Sequence, residues 1–172
     1  EEDQRALIAC PAETFGGLDV LVDNAGIGEF GPVWEIEPER FRAVVETNLF
    51  GPYYAAHFAV PLMKRGGGGF IVNIGSLAGV NAFAGGSAYN ASKFGLLGFS
   101  EASMLDLRPQ GIRGAAILPG SVATEFGHSH GNRDHSWMLT GDDVAEAVAD
   151  IVRFPDRAIA SRIDLRPSRP PK

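Results

Sequence analysis

"LDVLVDNAG", residues 18–26, is the stretch on which the fold turns. A short apolar run ends in turn-forming Asp23, Asn24 and Gly26, the pattern of a buried parallel strand. Three more runs read the same way: "FIVNIGS" (70–76), "IRGAAILPG" (112–120) and "AIASRIDLRP" (158–167). Helical patterns alternate with them. Residues 1–15 read as a helix interrupted at Pro11 and stopped by Gly16-Gly17. Residues 38–65 open with Pro38 at a first helical position, bend near Gly51-Pro52 and end at four glycines. Residues 87–108 end at Pro109 and Gly111, and 142–153 form a last helix after a long loop over 121–139. Strands separated by helices predict an α/β, doubly wound parallel sheet of Rossmann-like type. With no linker or repeat in its length, the chain is read as one domain over 1–172, with 168–172 a polar, proline-rich tail. Ligands of such sheets bind beyond the carboxyl ends of the strands. Here those ends are Asn24-Ala25-Gly26, Gly75-Ser76 and Pro119-Gly120.

Composition narrows the function. The 172 residues are 45% hydrophobic and 21% charged, enough apolar material for a core. A net charge of −6 with scattered basic residues argues against nucleic-acid binding. The single cysteine, Cys10, rules out an internal disulfide and fits a reducing compartment. No apolar run reaches the ~18 residues of a transmembrane helix. Three histidines, His128, His130 and His135, fall in a polar loop without helical register or a nearby cysteine, so no metal site is expected. That loop is expected to cover a substrate pocket, with Phe126, Trp137 and Met138 as its apolar lining.

The segment "SAYNASKFG" (87–95) places Tyr89 and Lys93 four residues apart, one above the other on a helix. Alone, the pair could be a packed tyrosine and a snorkelling lysine. In sequence order with its neighbours it resembles the short-chain dehydrogenase/reductase family. "DNAG" (23–26) is similar to that family's Asn-Asn-Ala-Gly signature, and "TNLFG" (47–51) to the segment carrying its catalytic asparagine, here Asn48. "NIGSLAG" (73–79) resembles the strand end carrying the catalytic serine, here Ser76, thirteen residues before Tyr89. "YNASK" (89–93) matches Tyr-x-x-x-Lys, and "PGSVAT" (119–124) resembles the Pro-Gly-x-x-x-Thr cofactor loop. Tyr-x-x-x-Lys by itself is a weak signal; five motifs in order are a strong one.

The chemistry agrees with the residue types. Reducing a ketone takes hydride at carbon and a proton at oxygen. No side chain supplies hydride, so a cofactor must. A tyrosine's pKa of about 10 is too high for proton exchange near neutrality, and a neighbouring ammonium is expected to lower it. A serine hydroxyl can orient the substrate oxygen. The resemblance implies an oxidoreductase using NAD or NADP on a small hydroxyl or carbonyl substrate, with Tyr89 as general acid/base. It implies that Lys93 also binds the nicotinamide ribose and that Asn48 holds a water in a proton relay. Val122 and Thr124, with Pro119 and Gly120, would meet the nicotinamide. Asn24, Ala25 and Gly26 would lie along the adenosine side. It further implies homo-oligomers through the helices at 39–65 and 87–108, and the tail "RIDLRPSRPPK" suggests a cytoplasmic protein without membrane association.

Three departures stand out. The family's Thr-Gly-x-x-x-Gly-x-Gly turn, which leaves a strand, opens a helix and cradles the pyrophosphate, has no counterpart. "GGGG" (66–69) ends a helix instead. Two N-terminal βα units, at least ~60 residues at about 30 each, are therefore expected to be missing from this chain. The strand at 18–26 would then be an exposed edge. The alternative reading is a truncated, non-catalytic remnant or oligomer-forming subunit unable to bind cofactor alone. The second departure is Asp23, where asparagine is usual; buried and ionised, it would need a partner. The third is Pro11 within the first helix.

Overall fold

The computed structural model describes residues 1–124, 126 and 135–171. Among them four strands form one parallel sheet: β1 (Val20–Asp23), β2 (Gly69–Ile74), β3 (Ile112–Pro119) and β4 (Arg162–Leu165), hydrogen-bonded in chain order. The intervening helices are α1 (Glu2–Phe15), α2 (Pro38–Val45), α3 (Gly51–Gly66), α4 (Ser87–Leu107) and α5 (Gly141–Arg153). This is the α/β, doubly wound arrangement expected from the alternation of patterns.

Side chains alternate across the strands and divide the core into two layers. Ile71 and Ile112 face α1, α3 and α4, packing with Ile8, Ala55, Ala59, Met63 and Leu107. Phe70, Val72, Ala115 and Ile117 face the other way, onto Ile151 of α5. Gly114 lets α4 come close: a Cβ there would sit 3.3 Å from Met104 Cβ. Helix α5 begins at a capping box in which the Thr140 hydroxyl accepts from the Asp143 N–H and the Asp143 carboxylate accepts from the Thr140 N–H. Helix α3 stops where Gly67 takes φ 91°, a left-handed conformation natural to glycine.

Strand β1 lies at the sheet edge, as anticipated, and is less covered than its apolar pattern suggests. Leu21 packs into the first core layer, while Val20 and Val22 remain 38% and 41% exposed.

One expectation needs correction. Pro11 does not interrupt α1, which runs from Glu2 to Phe15 with the proline inside it. The carbonyl that loses its donor belongs to Leu7, on an exposed stretch (Leu7 is 63% exposed) where water can replace the missing bond. The distortion of the long helix lies just before Gly51-Pro52. Residues Glu46–Phe50 form a π-helical turn, with the Gly51 N–H donating to the Glu46 carbonyl. Pro52 has no N–H for the Asn48 carbonyl, which is left without an α-helical donor.

No helix among the described residues is long and apolar enough to cross a membrane. With every strand parallel, the ends at Asp23, Ile74 and Pro119 open on one side of the sheet.

Candidate active site

A cavity of about 1190 Å³ occupies that side. Its walls include Asn24, Gly26, Ser76, Tyr89, Lys93, Pro119, Gly120, Val122 and Thr124, so most of the residues singled out by motif meet here. Ala25 lies between two of them, exposed, and does not contribute to the wall. Asn48 is fully buried behind it. Phe126, Trp137 and Met138 line the cavity as expected of the covering loop. The two ends of that loop are tied together: Ala123 N–H donates to the Leu139 carbonyl and Leu139 N–H to the Ser121 carbonyl. His128 and His130 lie outside the described residues. Among the described ones no group of three or more His, Cys, Asp or Glu side chains is placed to hold a metal ion.

Ser76 ends the turn after β2 and caps a short 3₁₀ turn, Leu77–Gly79, accepting from the Ala78 N–H at 3.1 Å. The hydroxyl of this turn residue also reaches the Tyr89 hydroxyl, where it favours the phenolate. Ser76 is thus both a turn cap and a neighbour of the Tyr89 hydroxyl. Gly79 fixes how closely this turn meets α4, since a Cβ there would lie 2.8 Å from the Lys93 carbonyl oxygen.

Lys93 is 4% exposed. Its Nζ donates to the Ile74 carbonyl at 2.9 Å and stands 5.9 Å from the centre of the Tyr89 ring. Burial without a carboxylate lowers its pKa to about 8. The expected lowering of the Tyr89 pKa is not what the geometry gives. Burial pushes the phenol up, and only the Ser76 hydrogen bond opposes that shift. The spacing correctly places the ammonium beside the phenol. It does not show that both groups are desolvated or that the ammonium is engaged by a backbone carbonyl.

Asn48 sits in the π-helical turn and stitches three segments together. Its Oδ1 accepts from the Ile27 N–H at 2.8 Å, and its Nδ2 donates to the Ile27 carbonyl at 2.9 Å and to Ser92 Oγ at 3.0 Å. Ser92 in turn donates to the Tyr89 carbonyl at 2.8 Å. Both amide protons of Asn48 are thus committed to holding the loop after β1 against α4. Gly26 completes the junction: a Cβ there would lie 3.3 Å from Asn48 Oδ1 and 3.7 Å from Lys93 Nζ.

Two residues of this site escaped the sequence reading. One is Ser92. The other is Asn90, whose Nδ2 donates to the Ala78 and Asn81 carbonyls and whose Oδ1 accepts from the Phe83 N–H. It fixes the loop between Ser76 and Tyr89. The available signal was two polar residues at the unspecified positions between Tyr89 and Lys93.

Comparison with known proteins supports the resemblance. Residues 1–134 match the family model described as short chain dehydrogenase. The chain is 42% identical over 153 residues to a trans-4-hydroxycyclohexanecarboxylate dehydrogenase of Sinomonas cyclohexanicum, covering 89% of this chain and 59% of that relative. An alcohol dehydrogenase from the archaeon Thermococcus sibiricus, solved with 5-hydroxy-NADP, superposes with a TM-score of 0.89 at 26% identity, over 99% of this chain and 72% of that one. A metagenomic short-chain oxidoreductase in complex with NADP superposes with a TM-score of 0.83 at 32% identity, over 98% and 70%. The chain spans about three fifths of the length of the first of these relatives. Motif order, parallel sheet, strand-end cavity and these matches agree: the chain belongs to the short-chain dehydrogenase family.

Proposed function

We propose that the protein transfers hydride between a nicotinamide cofactor and a small alcohol or ketone, with Tyr89 exchanging the proton. The observation that carries this reading is the Ser76–Tyr89–Lys93 constellation on one cavity at the strand ends. The cavity exceeds the few hundred Å³ to about 1,000 Å³ of a drug-sized pocket, room for a dinucleotide and a substrate together. NAD or NADP, when bound, supplies or accepts the hydride.

In reduction, the Tyr89 hydroxyl gives its proton to the substrate oxygen, and the Ser76 hydroxyl donates a hydrogen bond to the same oxygen. Burial keeps the phenol protonated, and the nascent alkoxide, a stronger base than a phenolate, draws the proton from it. The phenolate left behind would be stabilised by the Lys93 ammonium, which would also hold the cofactor ribose. Reprotonation passes by way of Lys93 and a water on the Asn48 carbonyl, the group that Pro52 leaves without an α-helical donor. In oxidation the sequence reverses, with Tyr89 as base. Val122 and Thr124, beside Pro119 and Gly120, would hold the nicotinamide; Asn24, Ala25 and Gly26 would lie along the adenosine side.

Oligomers would form through α3 and α4, which leave Tyr53, Phe94 and Leu105 between 45% and 54% exposed. We place the protein in the cytoplasm.

The test is fluorescence titration with reduced NAD and reduced NADP, on this chain and on the protein as its gene encodes it. Micromolar binding of one cofactor together with turnover of a secondary alcohol is the expected result. Absence of both in the protein as encoded would overturn the proposal in favour of a non-catalytic remnant.

A further inference from the structure

Four aromatic rings from separate segments, Tyr89 among them, meet beside the cavity. Phe30, in the loop after β1, is the hub. Its ring centre lies 5.6 Å from Tyr89, edge to face, 6.1 Å from Phe83 and 6.3 Å from Phe126. Tyr89 and Phe126 are 5.4 Å apart. Such contacts are within the favourable range for aromatic pairs.

The backbone reserves space for these rings. A Cβ on Gly28 would come within 2.6 Å of the Phe30 ring, and one on Gly86 within 2.5 Å of the Phe83 ring. The Gly31 N–H donates to the Gly85 carbonyl at 2.8 Å, locking the Phe30 loop to the Phe83 loop. Phe83 and Phe126 line the cavity beside Tyr89, with Phe30 packed against them. All three phenylalanines retain 37% to 49% exposure, an apolar surface that has not found cover within the described chain. Among the described residues the charged groups on the cavity are Lys93, turned to the Ile74 carbonyl, and Arg166, paired with Asp164.

Resting on the function proposed above, we infer that this wall selects uncharged, ring-bearing secondary alcohols and ketones. The carbon ring packs against Phe83 and Phe126 while its oxygen reaches Ser76 and Tyr89. Phe30 acts as a positioning residue behind the wall. A chain of two or three carbons would leave the aromatic faces wet, whereas a six-membered ring would cover them.

The experiment compares cyclohexanone with acetone in the protein as encoded, and in Phe83→Ala, Phe83→Leu and Phe30→Leu. For the parent, kcat/KM should favour cyclohexanone by about tenfold to a hundredfold, the range expected for apolar pocket discrimination. Phe83→Ala should cut that preference by about tenfold through KM, leaving acetone within about threefold. Phe83→Leu keeps apolar bulk without the flat ring and should fall between. Phe30→Leu should weaken the preference while cofactor affinity is unchanged. Saturation-transfer NMR of the two ketones gives a readout independent of turnover. Ring binding that depends on Phe83 would support the wall even where turnover is absent, and that absence would count only against the catalytic reading. Equal use and equal binding of both ketones by the parent, or a preference untouched by Phe83→Ala, would overturn the inference.

Discussion

Replacing Asp23 by asparagine should remove a pH dependence that the fold builds into one carboxyl. Asp23 ends β1 in register with Asn73 of β2. Its Oδ2 is buried without a hydrogen-bond partner, and so is the Asn73 Oδ1, whose own amide nitrogen is engaged by Ser100. Two acceptors on paired residues leave nothing to stabilise a charge, and burial pushes the Asp23 pKa from 3.8 to about 7. That gap is roughly three decades in proton affinity at about 1.4 kcal/mol each, so ionising Asp23 costs the folded state about 4 kcal/mol as an upper bound. The native chain holds the proton where the unfolded chain has already lost it. Stability therefore declines as pH rises from about 4 towards about 7 and levels off above that. Asparagine cannot ionise. Urea unfolding of both proteins, followed by circular dichroism near pH 4.5, 6 and 8, should show Asp23→Asn gaining on the parent by about 3 to 4 kcal/mol between the two extremes. A stability difference that stays constant over this range would refute the reasoning.

Other consequences follow from the same geometry. Ser92→Ala strips the buried Asn48 amide of an acceptor and should cost about 1 to 3 kcal/mol in chemical denaturation. Lys93→Met should abolish turnover. It should also remove a rise in stability between pH 8 and 10.5, because the native lysine, with a pKa of about 8, gives up its proton before the unfolded one does. Thermal melts across that range would detect the rise in the parent; its persistence in the variant would argue against a buried Lys93.

What was legible in the sequence is what is written in one dimension. Apolar runs ended by turn residues located the four strands of the described residues, and the ordered motifs of the family resemblance pointed to Ser76, Tyr89 and Lys93, which share one cavity. The π-helical turn was visible only as a bend near Gly51-Pro52, because one longer hydrogen-bonded ring leaves no periodic trace. Continuity of α1 through Pro11 depends on solvent reaching the Leu7 carbonyl, which requires knowing which side is exposed. Asn90 and Ser92 occupy the unspecified positions of a motif, and their partners lie on other segments. The direction of the Tyr89 shift needed burial depth, which spacing does not carry. Phe30 drew no notice because the rings it joins come from three other segments of the chain.

The central claim is that Tyr89 moves the proton. Its most direct test is Tyr89→Phe in the protein as encoded, with turnover of a secondary alcohol and binding of reduced cofactor measured on the same sample. The phenyl ring keeps its contacts with Phe30 and Phe126 and loses only the hydroxyl. The account predicts a fall in kcat of at least about a thousandfold, within the range of general acid–base catalysis, with cofactor affinity unchanged. Turnover within about tenfold of the parent would contradict it.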